Sequence, residues 1–460
     1  MSVLGEVRPI VRLAIPVAAA QLGWMLIGLV DLWMVGRLGP EALAAVSLGD
    51  LWIVATLVVA MGVVMGIDPI VSQAHGAGLG QRMGLALQHG IVIALLLTPL
   101  VAVCWWLAEP ALLLAGQDPS LVRPASSYVW VQAFSIAPFL VYIALRQYLQ
   151  GRGMMLPPLL IVLAANVVNA ALNWVLIFGK LSFPAMGIEG AAIASGLTRT
   201  FMMAALAAVV ISLRLHEGAW SGWARQALSP RALREVLAYG LPVGLQIGLE
   251  VWAFTLTTIF AGWLGAHALA AHTIALKIAS FSFMAALGIA FACTTRVGNL
   301  IGAGHLAHAD RAAWTGVALG AGAMTCFGAL FVTFRHGLPA LFLSGEGSAD
   351  IDVITLAAGI LPIAAAFQVF DGFQAVASGV LRGMGTTRPA AVINILGYYA
   401  LSLPISIGLA FEHLPGGLRG LGLGLKGIWI GMAVGLAAVA TLLAVWLRFR
   451  GPNRLRRRAI

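Results

Sequence analysis

The sequence predicts an all-α integral membrane protein: about twelve transmembrane helices in two six-helix bundles, related by a pseudo-two-fold axis along the membrane normal. Three observations carry this. Hydrophobic residues make up 61% of the 460 positions and charged residues 10%, with a mean hydropathy of +0.96; a soluble domain carries about a quarter charged residues. The apolar residues fall in long runs, as a hydrocarbon core about 30 Å thick demands, at roughly 20 residues per helix. The chain also repeats itself.

In chain order the runs span approximately 10–35, 46–70, 86–108, 125–149, 157–178, 187–213, 236–261, 270–295, 312–334, 353–380, 388–410 and 427–449. They are long and unbroken, which excludes a barrel of short alternating strands. The first run holds Asp31 and lacks a small-residue cleavage site, so it reads as a retained helix. Pro16, early in it, removes a backbone hydrogen bond and permits a bend. Mid-chain, 214–235 (RLHEGAWSGWARQALSPRALRE) is the one long polar stretch. Its Ser229-Pro230 pair suits an N-cap followed by proline at the first helical position. The organisation expected is therefore an N-terminal bundle over 1–213, a cytoplasmic linker over 214–235, a C-terminal bundle over 236–449 and a basic cytoplasmic tail over 450–460.

Charge placement orients the chain. With both termini cytoplasmic, 19 of the 27 Lys and Arg fall at inner loops or ends, as the positive-inside rule requires. The net charge of +10 then belongs to a membrane surface and needs no nucleic-acid partner. The tail RFRGPNRLRRR reads as an inner-leaflet anchor. Cys104, Cys293 and Cys326 lie inside spans without metal or disulfide spacing, and read as buried apolar thiols.

Internal repetition fixes the architecture. LAIPVAAAQ (13–21) matches YGLPVGLQI (239–247) at a shift of 226, which also carries RLGPEALAA (37–45) onto WLGAHALAA (263–271) and QAHGAG (73–78) onto NLIGAG (299–304). LQGRGMMLP (149–157) matches LRGMGTTRP (381–389) at a shift of 232. Six spans per half is an even number, so both halves enter from the same side as parallel repeats. Two such bundles can rock around a central cavity, the physical design of alternating access.

Charges inside the membrane mark function, since each costs at least a few kcal/mol there. Asp31 lies late in the first span, Glu250 mid-way through the seventh and Asp371 in the tenth; none has Lys or Arg at helical spacing. An unpaired buried carboxylate holds a proton or a cation. Asp50 and Asp68 sit near predicted helix ends, where water or a helix dipole serves them, and read as structural. Arg199 and Lys277, within spans, either pair with a carboxylate or snorkel to an interface. His267 and His272 flank an outer turn, where a solvated or capping histidine fits better than a ligand. Asn166, Asn169 and Asn173, spaced three and four apart, share one face of the fifth span, as interhelical glue or as the orienting shell of Asp31.

These residues resemble a known family. DLWMVGRLGPEALAAVSL (31–48), QAHGAG (73–78), LQGRGMMLP (149–157), NVVNAALN (166–173), GLPVGLQIGLE (240–250) and FQVFDGFQAVASGVLRGMG (367–385) stand in the order of segments found in the multidrug and toxic compound extrusion transporters, especially their bacterial NorM-type branch. The resemblance covers nearly the whole chain. It implies two six-helix bundles around an outward-opening cleft in the inner membrane, and multidrug efflux: export of organic, often aromatic, cations in exchange for Na+ or H+, a source of antibiotic resistance. Residue by residue it assigns cation coupling to Glu250 and Asp371, a pair that also suits a bound sodium ion. Asp31, with Asn169 and Asn173, matches the family's N-terminal polar site, where protonation is thought to shift the first helix. Position 367 departs from the pattern, with Phe367 in place of a tyrosine whose oxygen could contact sodium.

A carboxylate site does not easily hold drug and ion together, because each relieves the same negative charge. Exchange then follows from competition. Trp252, Phe254, Phe281 and Phe283 are candidates for lining a drug cavity, since aromatic faces attract organic cations. No cofactor beyond the coupling ion is expected, and a monomer is. Among rival readings, a lipid-linked precursor flippase of the same superfamily calls for a positively charged cavity, whereas the in-span charges here are mainly acidic. A major-facilitator pump calls for a basic inner-loop signature that is not found. A membrane-embedded enzyme calls for a constellation such as H-E-x-x-H, also not found.

Overall fold

In a computed structural model, residues 4–220, 222–343, 347–413 and 419–455 are described. Twelve helices there are long and apolar enough to cross a membrane: α1 Gly5–Leu38, α2 Pro40–Gly76, α3 Gly80–Trp106, α4 Pro119–Gly151, α5 Leu156–Phe178, α6 Gly187–Ser212, α7 Pro230–Trp263, α8 Ala266–Gly302, α9 Leu306–Thr333, α10 Ser348–Gly383, α11 Thr387–Ala410 and α12 Leu425–Arg454. Each overlaps one expected run, and no β-strand forms among the described residues beyond an isolated bridge between His413 and Arg419. Most helices begin before their apolar stretches: α2 begins six residues before the expected 46, and α10 five before the expected 353. Of the expected basic tail, 456–460 lies outside the described residues.

Prolines explain where the spans lose regular α geometry. The ring of a helical proline clashes with the carbonyl four residues earlier and cannot donate to it. Pro69 follows a 3-10 turn at Met65–Ile67, Pro138 one at Gln132–Ser135, and Pro404 a π-helical stretch at Leu396–Ser402. In each case the carbonyl facing the proline (Met65, Phe134, Ala400) lies inside the irregular segment. Pro16 and Pro242 instead sit within continuous α-helix. At the start of α4, Asp118 caps the helix: the backbone N–H of Ser120 donates to its carboxylate at 2.8 Å and holds it below the usual carboxylate range.

The described chain divides into two compact units, Ala19–Gly248 and Met1–Ala18 with Leu249–Ile460. The division falls within α1 and α7, so the 214–235 stretch belongs wholly to the first unit. It is docked on α3. Gly84 permits this, since a Cβ there would lie 1.8 Å from the Ala219 carbonyl oxygen. Gln88 fastens the stretch, donating to the Gly222 carbonyl at 2.8 Å and accepting from the Ala224 N–H at 3.1 Å. The start of α7 then crosses α2 backbone to backbone: a Cβ on Gly240 would meet the Val63 carbonyl oxygen at 2.0 Å, and one on Gly62 the Gly244 Cα at 2.5 Å. Such small-residue crossings drive helix association in lipid, where no hydrophobic effect operates between helices. In the second unit the first turns of α1 are held to α8, where Arg296 Nε donates to Glu6 at 2.9 Å and its Nη2 at 3.2 Å.

Candidate functional site

Each unit buries acids of its own. In the first, Asp31 is 6% exposed and surrounded by donors. Asn169 Nδ2 donates to its Oδ1 at 2.9 Å, Asn173 Nδ2 donates to the same oxygen, and Ser195 Oγ donates to Oδ2 at 2.8 Å. The (i, i+4) spacing that aligns Asn169 and Asn173 on one face of α5 also bonds them to each other, at 3.2 Å. Asn166, one turn earlier, does something else. It donates to the Gly23 carbonyl at 2.9 Å and the Val162 carbonyl at 2.8 Å, tying α5 to α1 without touching Asp31. The asparagine face therefore divides into two orienting amides and one interhelical tie.

Asp31 opens on a cavity of about 330 Å³ lined also by Trp24, Tyr128, Phe139, Asp50 and Arg199. Asp50, expected to serve a helix end, instead stands in the third turn of α2, where Tyr128 Oη donates to its Oδ1 at 3.0 Å. The misplacement follows from the six-residue error in the start of α2. Asp68 opens the helical segment that restarts after the Met65–Ile67 turn, is buried and accepts from Gln147 Nε2 at 2.8 Å.

In the second unit, α7 presents Glu250 and α10 presents Asp371, close enough for their charges to interact. Gln374 Nε2 and Tyr398 Oη each lie 3.4 Å from a Glu250 carboxylate oxygen. Gln374 also donates to Asn394 Oδ1 at 2.9 Å. Asp371 is 6% exposed, and its Oδ1 has no hydrogen-bond partner; neither has Gln374 Oε1. Two buried, unpartnered oxygens beside a second carboxylate are the donor set a small cation or proton requires. No group of three or more His, Cys, Asp and Glu able to hold a metal ion forms among the described residues. Any cation here must complete its shell with amide, hydroxyl or main-chain oxygens.

Sequence reasoning missed Tyr398, Gln374 and Asn394. A phenol reaches Glu250 from α11, where the π-helical stretch turns consecutive tyrosines to α7: Tyr398 toward Glu250, and Tyr399 to the Leu249 carbonyl at 3.0 Å. Phe367 joins an aromatic cluster with Phe254 (6.1 Å between centroids) and Trp429 (5.8 Å), and Phe254 also packs on Tyr398 at 5.8 Å.

The four aromatics expected to line a drug cavity separate. Phe254 lies beside the carboxylate site and Phe283 packs partly buried against the core, while Trp252 and Phe281 are 51% and 58% exposed. His267 is exposed and Lys277 is exposed, whereas His272 is fully buried, bonded to Thr258 Oγ1 at 3.2 Å and tilted against the Trp429 ring, 5.7 Å between centroids. Of the cysteines only Cys293 is buried; Cys104 and Cys326 are exposed on the spans, so the expectation of three buried thiols is corrected.

Comparison with known proteins follows the same duplicated pattern. The MatE family model matches twice, over residues 16–175 and 242–407. The probable multidrug resistance protein NorM of Mesorhizobium japonicum is 36% identical, covering 96% of this chain and 94% of its own length. The multidrug resistance protein NorM of Burkholderia vietnamiensis is 35% identical, covering 94% and 92%. In fold, the chain is similar to the crystal structure of the eukaryotic MATE transporter AtDTX14, with a TM-score of 0.87 over 98% of this chain and 97% of that one at 23% identity.

Proposed function

The chain belongs to the MatE family, that of the multidrug and toxic compound extrusion transporters, and from that premise we propose that it exports organic, often cationic and aromatic, compounds in exchange for an inward cation. It is a multi-pass membrane transporter of small molecules and performs multidrug efflux. The coupling step belongs to Glu250 and Asp371. The observation that carries this assignment is the unpartnered Oδ1 of a buried Asp371 next to Glu250: an unpaired charge is costly in a membrane interior, and either a drug cation or the coupling ion relieves it. Asp31, held by Asn169, Asn173 and Ser195, forms the second protonation-sensitive site. Both termini face the cytoplasm across the inner membrane, and the protein works as a monomer.

The coupling ion is Na+ or H+. Phe367 removes one oxygen from the family's pattern, while Glu250, Asp371 and Gln374 Oε1 offer sodium a partial shell, and the same carboxylates can each accept a proton. In either case the ion and the drug compete for the same acids. Ion entry from outside then releases drug, and drug capture from inside releases the ion.

The test is reconstitution in liposomes with sodium and proton gradients imposed separately, followed by uptake of ethidium. Wild-type protein should accumulate dye under at least one gradient, and Glu250→Gln and Asp371→Asn should each abolish that accumulation. If both variants pump normally, coupling lies elsewhere.

A further inference from the structure

The polar stretch between α6 and α7 has two faces, and the protein covers only one of them. Its inner face is pinned to the first unit along its length. Tyr148 Oη, on α4, donates to the Leu215 carbonyl at 3.1 Å, and the Arg152 guanidinium donates to the same oxygen. Gly80 and Gly84 of α3 admit the backbone at Gly218 and Ala219, whose carbonyl oxygens a Cβ would meet at 2.1 and 1.8 Å. Gln88 then bonds Gly222 and Ala224, and His89 Nε2 donates to the Gln226 carbonyl at 3.1 Å. Ala227, 1% exposed, closes this face. The stretch is a strap of fixed orientation, not a loose tether.

The outer face is apolar and basic together. Arg225–Leu228 form a 3-10 turn, in which side chains three apart eclipse, so Arg225 and Leu228 share one side while Ala227 faces inward. Leu228 is 68% exposed and Trp223 61%, and Arg225, Arg231 and Arg234 are exposed. Arg231 and Arg234, in the first turns of α7, share a face through the same spacing. The nearby acids already have partners, Glu217 in Arg214 and Glu235 in Arg82, each at 3.5 Å, whereas Arg225, Arg231 and Arg234 form no ion pair among the described residues. Ile211 and Leu213, also exposed, carry apolar surface from the end of α6 up to the strap.

We propose that this outer face binds anionic phospholipid, with Arg225, Arg231 and Arg234 on the phosphodiesters and Trp223 and Leu228 in the headgroup–acyl boundary. Three arginines without counter-charge, beside the ends of two spans, match the negative charge of an anionic leaflet. A guanidinium meets phosphate oxygens with paired N–H donors, and tryptophan favours the membrane–water boundary. A soluble anion would satisfy the arginines but leave Trp223 and Leu228 in water. Lipid alone uses both halves of the face.

Trp223 supplies the probe. In phosphatidylcholine nanodiscs, the fluorescence of wild type in excess of Trp223→Phe reports this one tryptophan. Half-quenching should need about tenfold less brominated phosphatidylglycerol than brominated phosphatidylcholine, since several basic residues act together at an anionic surface. Arg231→Gln alone should cut that preference about fivefold, the worth of one basic residue there. Combining Arg225→Gln, Arg231→Gln and Arg234→Gln should abolish it. The corresponding triple lysine variant keeps the charge and should retain most of the preference, which a strap that had merely come undone would not. Equal quenching by the two lipids in wild type, or a preference that survives the triple glutamine variant, overturns the assignment. So does a Trp223 that neither lipid quenches, which would place the strap clear of the bilayer. Binding is read without any transport step, so the result stands apart from the export reading, which ethidium uptake tests.

Discussion

Tyr398 brings a phenol to Glu250 from α11, while Phe367 packs in an aromatic cluster with Phe254 and Trp429. Removing that hydroxyl in Tyr398→Phe deprives a buried carboxylate of one of two donors. Gradient-driven ethidium uptake in proteoliposomes should fall by about tenfold to a hundredfold, the worth of one hydrogen bond to a charged group; an unchanged rate would place Tyr398 outside the coupling step. Glu250, Asp371 and Asp31 were legible because in-span carboxylates are rare and costly. The tyrosine was not, since a phenol in an apolar run carries no such signature. Asp50 was misread for a simpler reason: helices continue beyond their apolar stretch, and a six-residue error moved it from the interior of α2 to its rim. Arg199 was seen but not placed, because which carboxylates share its cavity is decided by packing between α1, α2, α4 and α6.

At the scale of elements, proline and glycine account for the departures from plain helices. The π-helical stretch that points two successive tyrosines at α7 ends two residues before Pro404. Pro404→Ala restores the missing N–H and should let α11 regularise, turning one tyrosine away. Its expected phenotype is therefore loss of transport without loss of expression, measured by ethidium uptake at matched protein levels. Gly240 makes the complementary case. Its Cβ would collide with the Val63 carbonyl oxygen, so Gly240→Val should destabilise the α2–α7 crossing by about 1–3 kcal/mol, the usual cost of overpacking. A thermal unfolding series in detergent reads this directly, and an unshifted midpoint would mean the helices part easily. Helix number and order were readable from hydropathy alone. The irregular turns were readable only in outline, because proline marks where α geometry is at risk and not whether it breaks: Pro16 and Pro242 leave their helices intact.

For the whole molecule, the duplicated sequence and the doubled family match describe the same object. The compact units, however, exchange ends: the first eighteen residues go with the second unit, and 214–248 with the first. A repeat is visible in sequence because it reflects history, while a unit boundary reflects contacts such as Glu6 with Arg296 and Gly84 with Ala219. Breaking the former by Glu6→Ala strands a partly buried arginine and should lower stability by about 2 kcal/mol, seen as a reduced thermal midpoint.

The central claim is that drug and coupling ion are alternative occupants of the Glu250–Asp371 acids. Ethidium affinity of the purified protein, titrated against sodium and, separately, against falling pH, tests it without any gradient. The account predicts that one of the two ions raises the apparent dissociation constant in proportion to its concentration, and that Asp371→Asn removes the dependence. Ethidium affinity that ignores both ions in a wild-type protein still able to pump would contradict it.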